Sequence, residues 1–405
     1  MKLLYIGTVS ESREFERIVK ESKIKPSVAP QTFETAFLNG VKANGVTDAE
    51  CFAFPMIASF PGSKLLYWLK KKQTLECGFP TTWIPTVNLP ILKMLIQGFS
   101  SKKMLKAWLK KQEKPEDVCI VLYSIYEPIA KNIIRLRKKY HFKTVAFVPD
   151  LPEHMYATKR GLQGIAAQFY YSAVKKIQSE FDGYIYLTEE MKNRISSEKP
   201  YIVVEGLADE SLFAAPTKAS GSESEKTPIV MYAGALSKRY GIAELVEAFR
   251  QTNLDAQLHI YGFGDFVPEL EKIIKTDARV CYKGRVSREE ILEREREAAL
   301  LVNVRNPKDE FTAYSFPSKT IEYMSSGTPL LTSRLPGIPQ EYFDYCYSIS
   351  GNDVAEIQSA LETIMGYSDE VRRDMGRRAR DYIRENKTAF KQAERTLDFI
   401  ERIKN

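Results

Sequence analysis

The sequence predicts two doubly wound α/β domains in tandem. Two series of short apolar runs alternate with amphipathic stretches, a polar segment of small residues separates them, and 405 residues exceed what one hydrophobic core usually organises. In the first series the runs at 3–6, 118–123, 144–148, 183–187 and 201–204 are strand candidates, with helical periodicity at 128–140 and 165–180. The second series gives strands at 229–233, 256–261, 280–283 and 300–304, and helices at 242–251, 267–276 and 288–298. Residues 214–228 contain no aliphatic side chain larger than alanine and read as a loop or linker. The domains are expected at 1–208 and 209–385, and a charged helical tail from 369 to 404 ends in a separate helix at 386–405. Parallel sheets hold ligands beyond the carboxyl ends of their strands, so the expected site is a cleft where those ends of both domains meet.

Composition narrows the function classes. With 44% hydrophobic and 27% charged residues, the chain has the make-up of a soluble globular protein rather than a disordered one. No run approaches the roughly 18 apolar residues of a membrane span, and the apolar start is too short for a signal peptide. Cysteines at 51, 77, 119, 281 and 346 are scattered and odd in number, which favours reduced thiols in a cytoplasm. His141, His154 and His259 are too dispersed for a zinc site or a Ser-His-Asp triad, so no protein-bound metal is expected.

The net charge of +7 is unevenly spread. Between Gly62 and Gln112 lie ten lysines (64, 70, 71, 72, 93, 102, 103, 106, 110 and 111) against a single acid, Glu76. Trp68, Trp83 and Trp108 all fall in this window, beside Phe79, Phe99 and the apolar run 89–96. Lysine with tryptophan and exposed aliphatics is the pattern of a helix or loop lying on an anionic bilayer, and a solvated helix face is the alternative. The basic residues are almost all lysine and no nucleic-acid motif accompanies them, so nucleic acid is not expected as a partner.

The densest chemistry lies at 314–329. This stretch reads as a loop, a short helix with Pro317 in its first turn and Ser315 or Ser318 as cap, and a stop at Gly327. The helix start suits a phosphate, Lys319 adds a full positive charge, and Glu322 lies three residues on along the same face. A carboxylate there can accept two hydroxyl hydrogen bonds from a ribose; an ordinary Lys319–Glu322 surface pair is the other reading. Upstream, 232–242 joins a strand to a helix, with Gly234 letting the backbone approach a ligand and Lys238 and Arg239 able to neutralise a diphosphate. Arg305, just past the strand at 300–304, either stabilises a leaving diphosphate or bridges Asp309 or Glu310. Gly262 and Gly264 form a strand-end turn, and Asp150 at the end of another strand either binds sugar hydroxyls or simply forms a turn.

These motifs together resemble the donor-site signature of family-4 retaining glycosyltransferases, whose pattern is Glu, seven residues, then Glu before Gly-x-Pro. Glu322 matches the second Glu, which in the family holds the nucleotide ribose, whereas the first falls on Tyr314. The run Phe316-Pro317-Ser318-Lys319 is similar to a sub-branch common in bacterial exopolysaccharide and capsule clusters. On this alignment Tyr314, Ser315, Phe316, Pro317 and Ser318 line the substrate. The loop at 232–242 matches the family's first donor loop, with Ala235 and Tyr240 where the family has its phosphate-binding Arg and Lys. Either Lys238 and Arg239 substitute for them or the charge comes from elsewhere. Arg285 and Val286 fall where the family reads the nucleotide base, and Gly262 on its Gly-x-Gly turn. Pro149 replaces the family's histidine beside the transferred sugar, while Asp150 is kept; Gly7, Thr8 and 31–35 would line the acceptor side. The resemblance implies the GT-B architecture, two Rossmann-like domains facing across a cleft, with the final helix returning to the first.

The resulting expectation is a retaining glycosyltransferase at the inner face of the plasma membrane. It would move a sugar from a nucleoside diphosphate, UDP by expectation, to a lipid-linked or oligosaccharide acceptor in cell-surface polysaccharide synthesis. Arg305 and Lys319 would carry the diphosphate, Glu322 the ribose and Asp150 the reaction centre, with no enzyme nucleophile and no dedicated metal. A nucleotide-sugar epimerase of the same double architecture and a non-catalytic membrane-binding protein are the alternatives. A dinucleotide oxidoreductase is disfavoured because Gly7 to Ser12 lacks the Gly-x-Gly-x-x-Gly turn.

Overall fold

The computed structural model describes residues 2–151, 162–213 and 227–404. The linker predicted at 214–228 falls almost wholly outside them, as do His154 and the end of the Asp150 loop. The chain divides into two compact units, Met1–Val204 with Ala389–Asn405, and Glu205–Thr388.

The first unit runs β1 (Lys2–Gly7), α1 (Ser12–Glu21), α2 (Val28–Ala43), β2 (Ala49–Ala53), β3 (Tyr67–Trp68), β4 (Lys72–Thr74), β5 (Pro80–Trp83), β6 (Thr86–Val87) and α3 (Leu92–Leu109). It continues through β7 (Val118–Tyr123), α4 (Glu127–Tyr140), β8 (Lys143–Val148), α5 (Leu162–Lys175), β9 (Gly183–Tyr186) and β10 (Tyr201–Val203). Its main sheet has the order β10-β9-β8-β7-β1-β2-β5-β4, parallel except for the β4–β5 edge pair. From β1 the chain moves first to β2 on one side and later to β7 on the other, which makes the carboxyl ends of β1 and β7 a topological switch point.

The second unit contains β11 (Ile229–Ala235), α6 (Ile242–Gln251), β12 (Gln257–Phe263), α7 (Val267–Ile273), β13 (Val280–Gly284), α8 (Arg288–Glu297) and β14 (Leu300–Asn303). After these come α9 (Ser318–Ser326), β15 (Leu330–Ser333), β16 (Tyr347–Ile349), α10 (Val354–Gly366) and α11 (Asp369–Asn386). The parallel order is β13-β12-β11-β14-β15-β16, with its switch point between β11 and β14. Alternate residues of β11 feed opposite faces: Val230 and Tyr232 pack with Leu245 and Phe249 of α6, Met231 and Ala233 with Tyr323 and Met324 of α9. Both faces are therefore covered, and the strands read as continuous apolar runs. The last helix, α12 (Ala389–Lys404), belongs to the first unit, where the Asn44 side chain donates to Phe390 O at 2.9 Å.

Two sequence expectations are corrected here. Trp68, Trp83 and Trp108 do not face outward: they are 7%, 1% and 7% exposed. Their rings finish a small core with Ile18, Ala53 and Ile57 or pack on Phe52, and the indole N–H groups of Trp68 and Trp108 donate to Ile84 O and to Glu50 Oε1. Two of the lysines are also committed to the protein, Lys93 by donating to Ile57 O and Lys71 by its pair with Glu14 at 2.5 Å. Secondly, Pro317 is the N-cap of α9 rather than part of its first turn, and no side chain caps the helix. Its fixed φ of −72° suits the extended cap position, while the Ser315 hydroxyl donates back to Phe311 O at 3.0 Å.

Gly262 offers a test of the strand-end packing. At φ +131° a Cβ there would lie 1.8 Å from Gly234 O, whereas at Gly45, φ +82°, it would meet nothing. Gly262→Ala should cost about 3 kcal/mol or more of stability in urea unfolding, against about 1 kcal/mol for Gly45→Ala, which bears only the left-handed backbone penalty.

Candidate active site

The carboxyl ends of β11, β12 and β14 are brought together with almost no side chain between them. Gly241, at φ +76°, lets the loop after β11 approach Val304 O so closely that a Cβ would stand 2.1 Å from that oxygen. Beside it, Arg305 lays its guanidinium 4.7 Å from the centre of the Tyr240 ring, and Arg239 stacks at 3.9 Å on Phe311, whose ring meets Tyr240 edge-on. Two cations are thus held by aromatic faces. Neither of the acids weighed as partners for Arg305, Asp309 or Glu310, forms an ion pair with it, and its Nε is buried without a hydrogen bond. Burial presses the Arg305 pKa down, because the charged guanidinium is taken out of water. Lys238 differs: its ammonium meets Glu269 at 2.6 Å on the open surface.

A second cluster sits where α8 meets the first turns of α9. Lys319 hydrogen bonds to Glu322, and its Nζ lies 3.5 Å from Oε1 of Glu295, a residue with no exposed surface. Glu295 was not singled out in the sequence. Its signal is faint but present, since it follows Ile291 by four and Leu292 by three, the two large apolar residues of an otherwise charged helix. Burial, then the neighbouring Glu322 charge, push the Glu295 carboxyl well above the ordinary range. Burial acts in the same direction on Glu322, but Lys319 outweighs it and holds Glu322 below that range. Glu295 is thus pushed toward the neutral form while Glu322 is held toward the carboxylate. Glu322 keeps an acceptor oxygen, 4.0 Å from Arg288, that can receive hydroxyl hydrogen bonds.

The other predicted residues divide. Phe316 and Pro317 are buried, and the Phe316 ring packs 5.4 Å from that of Tyr342 in the core. Ser315 is turned onto Phe311 O, Ser318 is exposed at the start of α9, and Tyr314 is half-buried. Gly234 and Gly262 meet in register on β11 and β12. Arg285 lies 4.9 Å above the ring of Phe263, a side chain 59% exposed that the sequence reading passed over. Val286 is partly buried against the core.

In the first unit, the loop after β1 is clamped by α2. Glu34, with no exposed surface, accepts from Thr8 N at 2.9 and 3.0 Å and from the Thr8 hydroxyl. Gln31 accepts from Ser10 N at 3.0 Å and donates to Ser10 O at 2.6 Å. Gly7 leaves room for the clamp, since a Cβ there would lie 1.9 Å from Glu34 Oε2. Asp150 is exposed just beyond β8.

With this geometry in hand, the chain is similar to known proteins in two respects. Residues 215–382 match the sequence model of the family described as glycosyl transferases group 1, a match that supports a glycosyltransferase. No curated protein matches the chain in sequence. Among solved structures it is similar to a sucrose-phosphate synthase from Thermosynechococcus elongatus, 17% identical with a TM-score of 0.65 over 100% of this chain and 99% of that one. Anabaena HepE in complex with UDP gives 14% identity and 0.66 over 99% and 100%. The apo lipopolysaccharide outer core galactosyltransferase WaaB gives 15% and 0.62 over 99% of both chains. These likenesses establish the fold, the GT-B type with two Rossmann-like domains.

Burial raises the Glu34 pKa from 4.5 to about 7, outweighing the bonds from Thr8. The folded state then binds this proton more tightly than the unfolded chain does. Its contribution to stability is complete below pH 4.5 and is lost as the pH climbs through about 7. Urea titrations at several pH values should show Glu34→Gln lacking a loss of about 3 kcal/mol that the parent undergoes across this window. Parallel pH profiles for the two proteins would rule the effect out.

Proposed function

We propose that this protein is a retaining glycosyltransferase. It would transfer a sugar from a nucleoside diphosphate, UDP in the first instance, to a lipid-linked or saccharide acceptor in cell-surface polysaccharide synthesis, working at the cytoplasmic face of the membrane. The observation that carries the reading is the Lys319–Glu322–Glu295 cluster on α8 and α9, lying inside the segment that matches the group 1 transferases. The similar Anabaena HepE structures, one in complex with UDP and one with UDP and glucose, support the choice of nucleotide.

The residues divide the work by charge. Glu322 accepts hydrogen bonds from the ribose hydroxyls, while the neutral Glu295 keeps a second negative charge out of the buried cluster. Arg305 takes the diphosphate, because its guanidinium is stacked on Tyr240 and, among the described residues, is paired with no carboxylate. Lys319 reinforces it, although Glu322 already balances much of its charge. Arg285 and Phe263 offer a flat face for the base at the ends of neighbouring strands. Departure of the sugar with attack on the same face needs a stabilised diphosphate and a placed acceptor rather than an enzyme nucleophile. Asp150 would orient sugar or acceptor hydroxyls.

Calorimetry with UDP tests the ribose contact: Glu322→Ala should weaken binding by about tenfold or more, the worth of a charge-assisted hydrogen-bond pair. Unchanged affinity would show the helix is misassigned. For the leaving group, Arg305→Ala should lower turnover by roughly a hundredfold, on the order of 3 kcal/mol, and Lys319→Ala by less. Near-normal turnover in both would move the diphosphate to Lys238, Arg239 or a divalent ion. Interconversion of a UDP-sugar with its epimer, without transfer, would replace this reading by an epimerase.

A further inference from the structure

With the tryptophans buried, the outward surface of the lysine-rich window is made by other residues. On α3 the inward positions are Gln97, Gly98, Ser101, Met104, Leu105 and Trp108. The opposite face exposes Leu92, Leu95 and Phe99 in its first half, at 40%, 65% and 71%, and then Lys102, Lys103 and Lys106 in its second. Apolar side chains open to water at one end of a helix and lysines at the other are not a core stripe.

The β3–β6 hairpin extends this face. Asn88 N donates to Leu66 O at 2.7 Å and Asn88 O accepts from Phe60 N at 2.9 Å, so Phe60, Leu66 and Leu89 converge beside the helix start. Tyr67 and Leu69 are 66% and 75% exposed on the same hairpin, with Lys64, Lys70 and Lys72 open around them. Ile91, 79% exposed, leads into α3 at φ +64°, a strained conformation for a β-branched residue. The window's single acid, Glu76, is bound to Ser12 N at 2.7 Å. Lys71 and Lys93 are the exceptions among the lysines: Lys71 pairs with Glu14, and Lys93 turns inward, where burial lowers its pKa to about 8.

We infer that this face, the first two turns of α3 with the β3–β6 hairpin, docks on an anionic lipid bilayer, its apolar side chains entering the interface and its lysines meeting the headgroups. The occupant follows from the chemistry: exposed apolar side chains flanked by lysines match acyl chains beneath negative headgroups. No helix of the described residues is long and apolar enough to cross a membrane, so attachment here is from one side. In naming where a lipid-linked acceptor is met, the inference rests on the transferase reading, but vesicle binding stands or falls by itself.

Co-sedimentation with phosphatidylcholine vesicles, with and without phosphatidylglycerol, provides the test. The protein should bind the anionic vesicles and lose most of that binding as salt rises from about 0.1 M to about 1 M, where the Debye length shrinks from about 10 Å to about 3 Å. The double variant Leu95→Ser, Phe99→Ser and the triple variant Lys102→Glu, Lys103→Glu, Lys106→Glu should each bind at least about tenfold more weakly. Both should keep the parent's thermal shift with UDP, which reports that they are folded. No binding to anionic vesicles, or equal salt-independent binding to neutral ones, would overturn the inference. So would light scattering that finds a dimer which Phe99→Ser converts to a monomer, because the face would then be covered by a second copy. Vesicle binding without any response to UDP would instead sink the transferase reading and leave this surface standing.

Discussion

The candidate donor site depends on backbone meeting backbone. At the switch point of the second sheet, Gly262 lies against Gly234 O, and Gly241 lies against Val304 O. No side chain fits between them, so the loops after β11, β12 and β14 are fixed by main-chain contact. The same approach sets the start of α6 and brings Tyr240 under Arg305. A methyl group at Gly241 would press on the carbonyl next to Arg305 and so disturb packing and charge together.

Each unit also uses one fully buried glutamate on a helix to organise its strand ends. Glu34 ties α2 to the loop after β1, and Glu295 ties α8 to Lys319 on α9. A carboxylate in such a place is expensive unless its oxygens are satisfied or it takes up a proton. Both take up the proton more readily than a free carboxyl: burial outweighs the donors that Thr8 gives Glu34, and Glu295, which has an oxygen without a partner, is pushed further toward the neutral form. That neutrality has a use: a second negative charge beside Glu322 would compete for Lys319 and weaken the hold on it.

How much of this was legible in the sequence follows the strength of local signals. The strand at 118–123 and the helix at 242–251 were read to the residue, the first because every side chain is apolar, the second because Gly241 and an apolar stripe bound it. The region from 49 to 87 gave no strands: β3, β4 and β6 are two or three residues long and too short for a period to show, and β2 and β5 lack the continuous apolar run that marks β7. Tryptophan beside lysine is ambiguous for a related reason: composition records that Trp68 and Trp83 share a segment with lysines, not that the rings pack edge-on with centres 6.1 Å apart inside the unit. Glu295 was hidden among the acids of α8, where only its spacing from Ile291 and Leu292 marks the inner face. The packing of Phe316 on Tyr342 was equally hidden, because a motif position does not say which ring a side chain meets.

The two departures from the family's first donor loop fit together once the aromatic contacts are considered. Ala235 and Tyr240 stand where the resemblance leads one to expect arginine and lysine. A lysine at 240 would repel Arg305, whose guanidinium lies 4.7 Å from the ring that occupies this place. Tyrosine instead offers its π-face, which orients the guanidinium while leaving its N–H edges free for an anion. Phe311 extends the same logic by meeting the Tyr240 ring edge-on and stacking with Arg239. On the proposed reading, the positive charge has moved from the loop after β11 to the loop after β14, and the aromatic at 240 holds it there. A lone Tyr240→Lys change would then bring back the expected residue while driving Arg305 away, so the position can be understood only as one half of a pair.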